Sequence, residues 1–324
     1  QRLVGLSDAE APDLAALSDA EFKVKFGELL TLAQEERKLN QLLWYEPVSA
    51  TALAIHESNA KVLGIGGGNR ASKTTLLLME LVIAMTGVFP APLKHLARAK
   101  FRGPVNCRLV LESLTTTLYP TILPKLQHFK WNGIDRPGGE RGHWGWIPKW
   151  CLIESAWEKS WNDKQRTLRV LCRDPEDLER VVGESTCQFM SKDQDPTDFA
   201  SGEFHLIGHD EPPTLAIWRE SEARVMSVNG RLIVAMTWPD DPAIPVEWIF
   251  DEVYEPGSAK ERDIEWFNIY TTDNRHLDQA AITARAAGWS TETRNVRLYG
   301  QPIRFSNRVH PLFTDHTQHF CFSC

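Results

Sequence analysis

The feature that most constrains this 324-residue chain is a short β-like run that feeds a glycine-rich turn and then an apolar helix. The run is Lys61-Val62-Leu63-Gly64-Ile65-Gly66. The turn and the residues after it read Gly67-Gly68-Asn69-Arg70-Ala71-Ser72-Lys73-Thr74-Thr75. An apolar stretch from Leu76 to Met85 then predicts a helix that stops at Gly87. Strand, glycine-rich turn and helix in this order make a cradle for a polyanion. Backbone N–H groups converge at a helix N-terminus, and a lysine supplies positive charge. A triphosphate such as ATP needs that arrangement. Lys73 is placed for the β/γ-phosphates, and the Thr74 hydroxyl is of the type that ligates Mg²⁺. The common pattern has glycine at the position of Ser72. If the backbone there takes a positive φ, the serine costs on the order of 1–3 kcal/mol. Without a ligand, the same residues would simply make a glycine-rich turn before a buried helix.

A second signal lies far along the chain. Phe204 to Gly208 predicts a buried strand, and it runs into His209-Asp210-Glu211-Pro212-Pro213. Two adjacent carboxylates at a strand end can divide labour. Asp210 would hold Mg²⁺ through water, and Glu211 would orient or deprotonate an attacking water. Acidic pairs are common on surfaces, so this one gains meaning only beside the phosphate loop. Together the two motifs point to ATP hydrolysis. Arg70, inside the loop, and Arg224, on a predicted helix after the acidic pair, are candidates to stabilise transition-state charge; each could equally form an ordinary ion pair. Thr237, at the end of the predicted strand Arg231 to Met236, is a candidate to sense loss of the γ-phosphate.

Further strands are expected at Cys107 to Leu111, Leu168 to Leu171, Cys187 to Met190 and Ile264 to Tyr270. A helix is expected from Ala216 to Val225. Strands alternating with helices predict an α/β fold with a central, mostly parallel sheet flanked by helices. Upstream, residues 7–45 read as helical. Ser18 and Glu21 form a capping-box pattern, and Phe22, Phe26, Leu29, Leu30, Leu32, Leu39, Leu42 and Leu43 recur at roughly helical spacing, which predicts a helix packed on the core. Residues 131–161 hold half of the chain's 12 tryptophans. They read as an insertion forming a satellite core. Aromatics of this kind also stack on single-stranded bases, but no dense basic patch accompanies them.

With 36 basic against 43 acidic side chains, the net charge of −7 excludes a wholly basic DNA-coating protein. It leaves room for a local basic groove. No run reaches the ~18 apolar residues of a membrane span. The six scattered cysteines read as cytosolic thiols rather than a disulfide framework. His316, His319, Cys321 and Cys324 crowd four zinc-type donors into the chain end, an arrangement unlike the usual separated ligand pairs.

Taken together, these residues resemble the large terminase subunit of tailed double-stranded DNA bacteriophages. There the loop commonly reads GGNRSGKT, followed by T-G-x-[YF]-P, which Thr86 to Pro90 matches. The similarity continues at Phe189 to Asp193, at Asp210 to Pro213 and at Glu222 to Arg224. It extends through Arg231 to Pro239, and Asp273 to Leu277 corresponds to the family's D-N-P-x-L. The resemblance covers roughly residues 45–313. It implies a P-loop ATPase motor that assembles as a homo-oligomeric ring, works with a viral portal protein and a small terminase subunit, and drives double-stranded DNA into a prohead in the host cytoplasm. By the same resemblance residues 67–75 bind the nucleotide, with Thr74 and Asp210 at Mg²⁺ and Glu211, Arg70, Arg224 and Thr237 carrying the chemistry.

The expected domains are an N-terminal helical segment (1–46), the ATPase domain (47–300) and a linker (301–324) leading toward a nuclease domain. No nuclease activity is expected from these residues. Two departures stand out. One is Ser72. The other is the stretch after Tyr45-Glu46-Pro47, which offers Ser49, Ala50, Thr51 and Ala52 where the family often has an adenine-reading glutamine. The rival readings are a helicase-like or repair ATPase, a nucleotide-binding assembly protein that does not hydrolyse, and, more weakly, a small-molecule kinase.

Overall fold

The computed structural model describes residues 18–129, 143–239 and 246–302. Among the described residues there are ten strands: β1 (Val62–Gly67), β2 (Asn106–Leu111), β3 (His128–Phe129), β4 (His143–Trp144), β5 (Trp161–Asn162), β6 (Thr167–Asp174), β7 (Asp177–Ser191), β8 (Leu206–Asp210), β9 (Arg231–Met236) and β10 (Ile264–Ile269). Eight of them form a sheet in the order β10-β1-β9-β8-β2-β7-β6-β5. The described residues divide into two compact units. One takes residues up to 47, 78–195 and 203–206; the other takes 48–77, 196–202 and 207 onward.

In the second unit β1 pairs in parallel with β10 on one side and β9 on the other, with Ile65 opposite Phe267 and Ala235. A strand flanked on both sides and covered on both faces is mostly apolar, which is why β1 and the stretch Leu232 to Met236 of β9 read as apolar runs. Gly64 has a packing reason. A Cβ there would lie 2.1 Å from Trp266 Cε3, so the missing side chain makes room for the indole. That indole belongs to a cluster with Trp238, Phe250 and Tyr254. The ring centroids of Trp238 and Phe250 are 4.4 Å apart, and those of Trp238 and Trp266 are 5.5 Å apart. Trp238 is 1% exposed. Trp238→Ala is expected to cost about 3–5 kcal/mol, the range for emptying a buried aromatic site. The shift of the urea unfolding midpoint at unchanged slope measures it.

The helix Lys73–Thr86 follows the loop. It buries Leu76, Leu77, Leu78, Met79, Leu81, Val82 and Met85, so it is apolar around most of its circumference because it lies in the core. Its end is marked by Thr86 Oγ1 donating to the Val82 carbonyl (2.7 Å) and by Gly87 at φ +70. No single helix among the described residues is long and apolar enough to cross a membrane. The helix Leu215–Met226 is capped by Thr214 and buries Ile217, Ser221 and Val225 along one stripe.

The first unit holds β2 in parallel with β7. β7 then turns back antiparallel onto β6, and β6 onto β5. The strands expected at Leu168 to Leu171 and Cys187 to Met190 are thus the inner ends of one long antiparallel hairpin. The tryptophan-rich segment, where described, is compact. Trp161 packs edge-on against Phe189 with centroids 5.6 Å apart, and Trp146 against Tyr45 at 5.9 Å. Ile147, Cys151 and Leu152 are buried beneath.

The upstream helix runs Asp19–Leu39 and begins with the expected capping box. Ser18 N–H donates to Glu21 Oε2 (3.0 Å), and Glu21 N–H donates back to Ser18 Oγ (3.5 Å). Its packing differs from expectation, because none of its side chains is buried. The half-buried positions are Lys25, Leu29, Ala33 and Glu36, one helical stripe, while Phe22, Phe26 and Leu30 lie on the exposed side. Phe22 and Phe26 stack on each other at 5.6 Å. The cluster His316, His319, Cys321 and Cys324 lies outside the described residues.

Candidate nucleotide site

The loop, the acidic pair and Thr237 all belong to the second unit. β1 delivers the chain into residues 67–72, and the helix begins at Lys73. The first N–H groups of a helix have no partner within it, so the amides from Lys73 onward form an anion-binding end. The loop is bent by two left-handed residues, Arg70 (φ 60) and Ser72 (φ 74). Ser72 therefore occupies the conformation for which the family's glycine is suited.

Lys73 is 8% exposed, and its Nζ donates to the Gly68 carbonyl at 2.7 Å. Burial lowers its pKa. Glu211 and then Asp210 oppose that shift by favouring the charged form. Thr74 Oγ1 donates to Asp210 Oδ1 at 2.7 Å. A loop threonine and a strand-end aspartate, far apart in sequence, thus meet as a hydroxyl–carboxylate pair. The pair offers two oxygen donors of the kind Mg²⁺ takes alongside substrate phosphates.

β8 reaches Asp210, two residues further than the apolar run suggested. Glu211 follows at φ 77, a strained value for a non-glycine residue. Its backbone N–H donates to the Ala235 carbonyl (2.8 Å), and its Oε2 accepts the Thr237 N–H (3.3 Å). The left-handed turn breaks the alternation of a strand and separates the direction of Glu211 from that of Asp210. Thr237 touches Glu211 through its backbone, a contact no side-chain pattern could announce.

The arginines are less constrained. Arg70 is exposed. Arg224 lies on Leu215–Met226 with its Nε buried and without a hydrogen-bond partner among the described residues. No hydrogen bond or ion pair among the described residues joins it to the loop. Ser49 is occupied as a helix cap, accepting the Ala52 N–H at 3.2 Å.

One group of residues escaped the motif reading. Gly68 N–H donates to the Ile269 carbonyl (3.1 Å), and Asn69 N–H to the Arg297 carbonyl (2.7 Å). Thr271 Oγ1 donates to the Asn69 carbonyl (2.8 Å). Asn274 Nδ2 donates to the Arg70 carbonyl (2.9 Å) and to Ser72 Oγ (3.2 Å). A Cβ on Gly68 would come within 2.3 Å of Thr271 Oγ1. The loop is therefore strapped by residues 269–300. The approach is too close for a side chain at Gly68.

Sequence comparison matches no family model and no curated protein. The fold does match solved structures. The large terminase from a thermophilic bacteriophage aligns with a TM-score of 0.54 at 11% identity, over 79% of this chain and 54% of that one. The fold is that of a large terminase ATPase domain. The Thermus phage P74-26 large terminase ATPase domain aligns at 0.50 with 15% identity, over 81% of this chain and 96% of that one. The thermophilic-phage large terminase in complex with ADP aligns at 0.50 with 10% identity, over 78% and 53%. The chain thus spans about half the length of the thermophilic-phage large terminase and nearly all of the P74-26 ATPase domain.

Proposed function

We propose that this chain hydrolyses ATP and is the motor domain of a viral DNA-packaging machine, with residues 47–300 forming the ATPase. The observation that carries the ATPase reading is the 2.7 Å contact between Thr74 Oγ1 and Asp210 Oδ1. It joins a phosphate-binding loop to a carboxylate pair across the sheet. In this reading the amides at the start of Lys73–Thr86 and the Lys73 ammonium hold the β- and γ-phosphates. Lys73 exchanges its Gly68 carbonyl for phosphate oxygens, trading a neutral acceptor for an anionic one. Thr74 and Asp210 would hold Mg²⁺, which would neutralise phosphate charge. Glu211 accepts the proton of the attacking water at its carboxylate, and its orientation is fixed by the Thr237 amide. Arg70, or Arg224 acting on a neighbouring subunit, adds positive charge where it develops. Thr237 relays the state of the site into β9.

The thermophilic-phage large terminase has been solved with ADP, and its fold is shared here. That likeness, with the motif series in the sequence, supports double-stranded DNA as the translocated polymer. It also supports a ring working with a portal protein and a small terminase subunit in the host cytoplasm. DNA contact by such a motor is largely to the phosphate backbone, so it is salt-dependent.

The test is steady-state ATP turnover with double-stranded DNA, single-stranded DNA or neither, across a salt series. Turnover raised by duplex, with the stimulation falling as salt rises, is the expected result. Stimulation by single strands alone would favour a helicase-like ATPase instead.

A further inference from the structure

The serine at position 72 and the asparagine at position 274 explain each other. Ser72 sits at φ 74 and Arg70 at φ 60, so both bends of the loop are made by residues that carry a Cβ. Backbone of this kind persists only when its surroundings hold it. One side chain reaches both bends. Asn274 is 7% exposed. Its Nδ2 donates to the carbonyl of Arg70 and to the hydroxyl oxygen of Ser72. The asparagine is itself fixed. Its Oδ1 accepts the His276 N–H at 3.1 Å, its carbonyl accepts from Gln279 Nε2 at 3.0 Å, and its N–H donates to the Thr271 carbonyl at 3.3 Å. The amide is thus preorganised before it meets the loop.

We infer that Asn274 is a positioning residue for the phosphate loop, and that its bond to Ser72 Oγ is what lets this chain use serine where a glycine would bend freely. The inference rests on reading residues 67–75 as the phosphate loop. Glycine would need no such support, because it takes positive φ without a steric penalty. Serine gains from the arrangement a polar handle through which the strap 271–279 grips the loop. The hydrogen bonds of Asn274 run to the loop and to its own segment. Asn274 acts by keeping the amides of the loop aimed before the ligand arrives.

The consequence is coupling between two positions. Asn274→Ala is made in the wild-type chain and in a Ser72→Gly background, and two quantities are read. One is amide hydrogen exchange of peptides covering residues 67–77 without nucleotide. The other is affinity for Mg²⁺ with the β,γ-imido analogue of ATP, by titration calorimetry. In the wild-type background Asn274→Ala is expected to speed loop exchange and to weaken binding, each by about tenfold, the scale of one buried hydrogen bond. In the Ser72→Gly background the same change is expected to shift both by no more than about threefold, because the strain at position 72 is gone and only the bond to the Arg70 carbonyl is left to lose. Equal losses in both backgrounds would overturn the inference, since Asn274 would then be supporting only its own segment. So would no loss in either. If exchange follows the expected pattern but no variant binds the analogue, the grip on the loop stands and the nucleotide reading falls.

Discussion

Glu211→Gln is expected to lower ATP turnover by at least about 100-fold while leaving nucleotide binding nearly intact. Glutamine keeps the size of the side chain and an oxygen that can accept the Thr237 N–H now held by Glu211 Oε2 at 3.3 Å. It loses the one property a general base needs, an available pair that takes a proton at neutral pH. Loss of a positioned general base costs about 10²- to 10⁴-fold in rate. In the proposed reading binding is carried elsewhere, by Lys73, Thr74 and the helix end, so affinity for Mg²⁺·ATP is expected to change by less than about threefold. Single-turnover phosphate release and equilibrium binding, measured on the same preparations, separate the two. If turnover falls by less than tenfold, a different residue activates the water.

Lys73→Ala acts on the opposite side of the reaction. The ammonium is buried beside Asp210 and Glu211, and both carboxylates favour its charged form despite the cost of burial. In the proposed reading, removing it would withdraw charge from the β/γ-phosphates. The expected loss is about 10²- to 10³-fold in turnover, the scale of deleting one electrostatic stabiliser. It also leaves two carboxylates without their neighbouring cation, so their pKa values rise. A base whose pKa rises is protonated over a wider acid range. The acid limb of any residual activity therefore moves to higher pH. A pH–rate profile that keeps its acid limb in place would mean that Lys73 and Glu211 do not share one site in solution.

Parts of this site were legible before the fold. The loop could be found because its chemistry forces a local pattern: a buried strand, small residues at a tight turn, then a lysine at a helix start. The acidic pair was legible for a similar reason, since a strand buried on both faces reads as an apolar run and charges at its end stand out. What joined the two motifs was not legible. The Thr74–Asp210 contact depends on strand order, and β9 lies between β1 and β8 although it follows both in sequence.

The strap around the loop was missed for a different reason. Asp273 to Leu277 stood out only as a stretch similar to a known family. Its bonds run mostly to backbone carbonyls, and carbonyls have no sequence signature. The upstream helix shows the converse error. Phe22, Phe26 and Leu30 have the spacing of a packed face, but spacing gives a stripe and not its partner. The half-buried stripe instead carries Lys25, Leu29, Ala33 and Glu36. The antiparallel hairpin of β6 and β7 was only half seen. Its outer residues, such as Arg169, Glu179, Arg180 and Glu184, face water and dilute the apolar signal of a strand.

The central claim is that residues 67–75 and the pair Asp210–Glu211 make one ATP-hydrolysing site. The most direct measurement is steady-state release of inorganic phosphate from Mg²⁺·ATP by the wild-type chain, at protein concentrations high enough to bring subunits together, with EDTA as control. The account predicts turnover that depends on Mg²⁺ and rises with protein concentration faster than linearly if a neighbour supplies an arginine. Phosphate release no faster than the EDTA control at every protein concentration, with ATP bound, would contradict it.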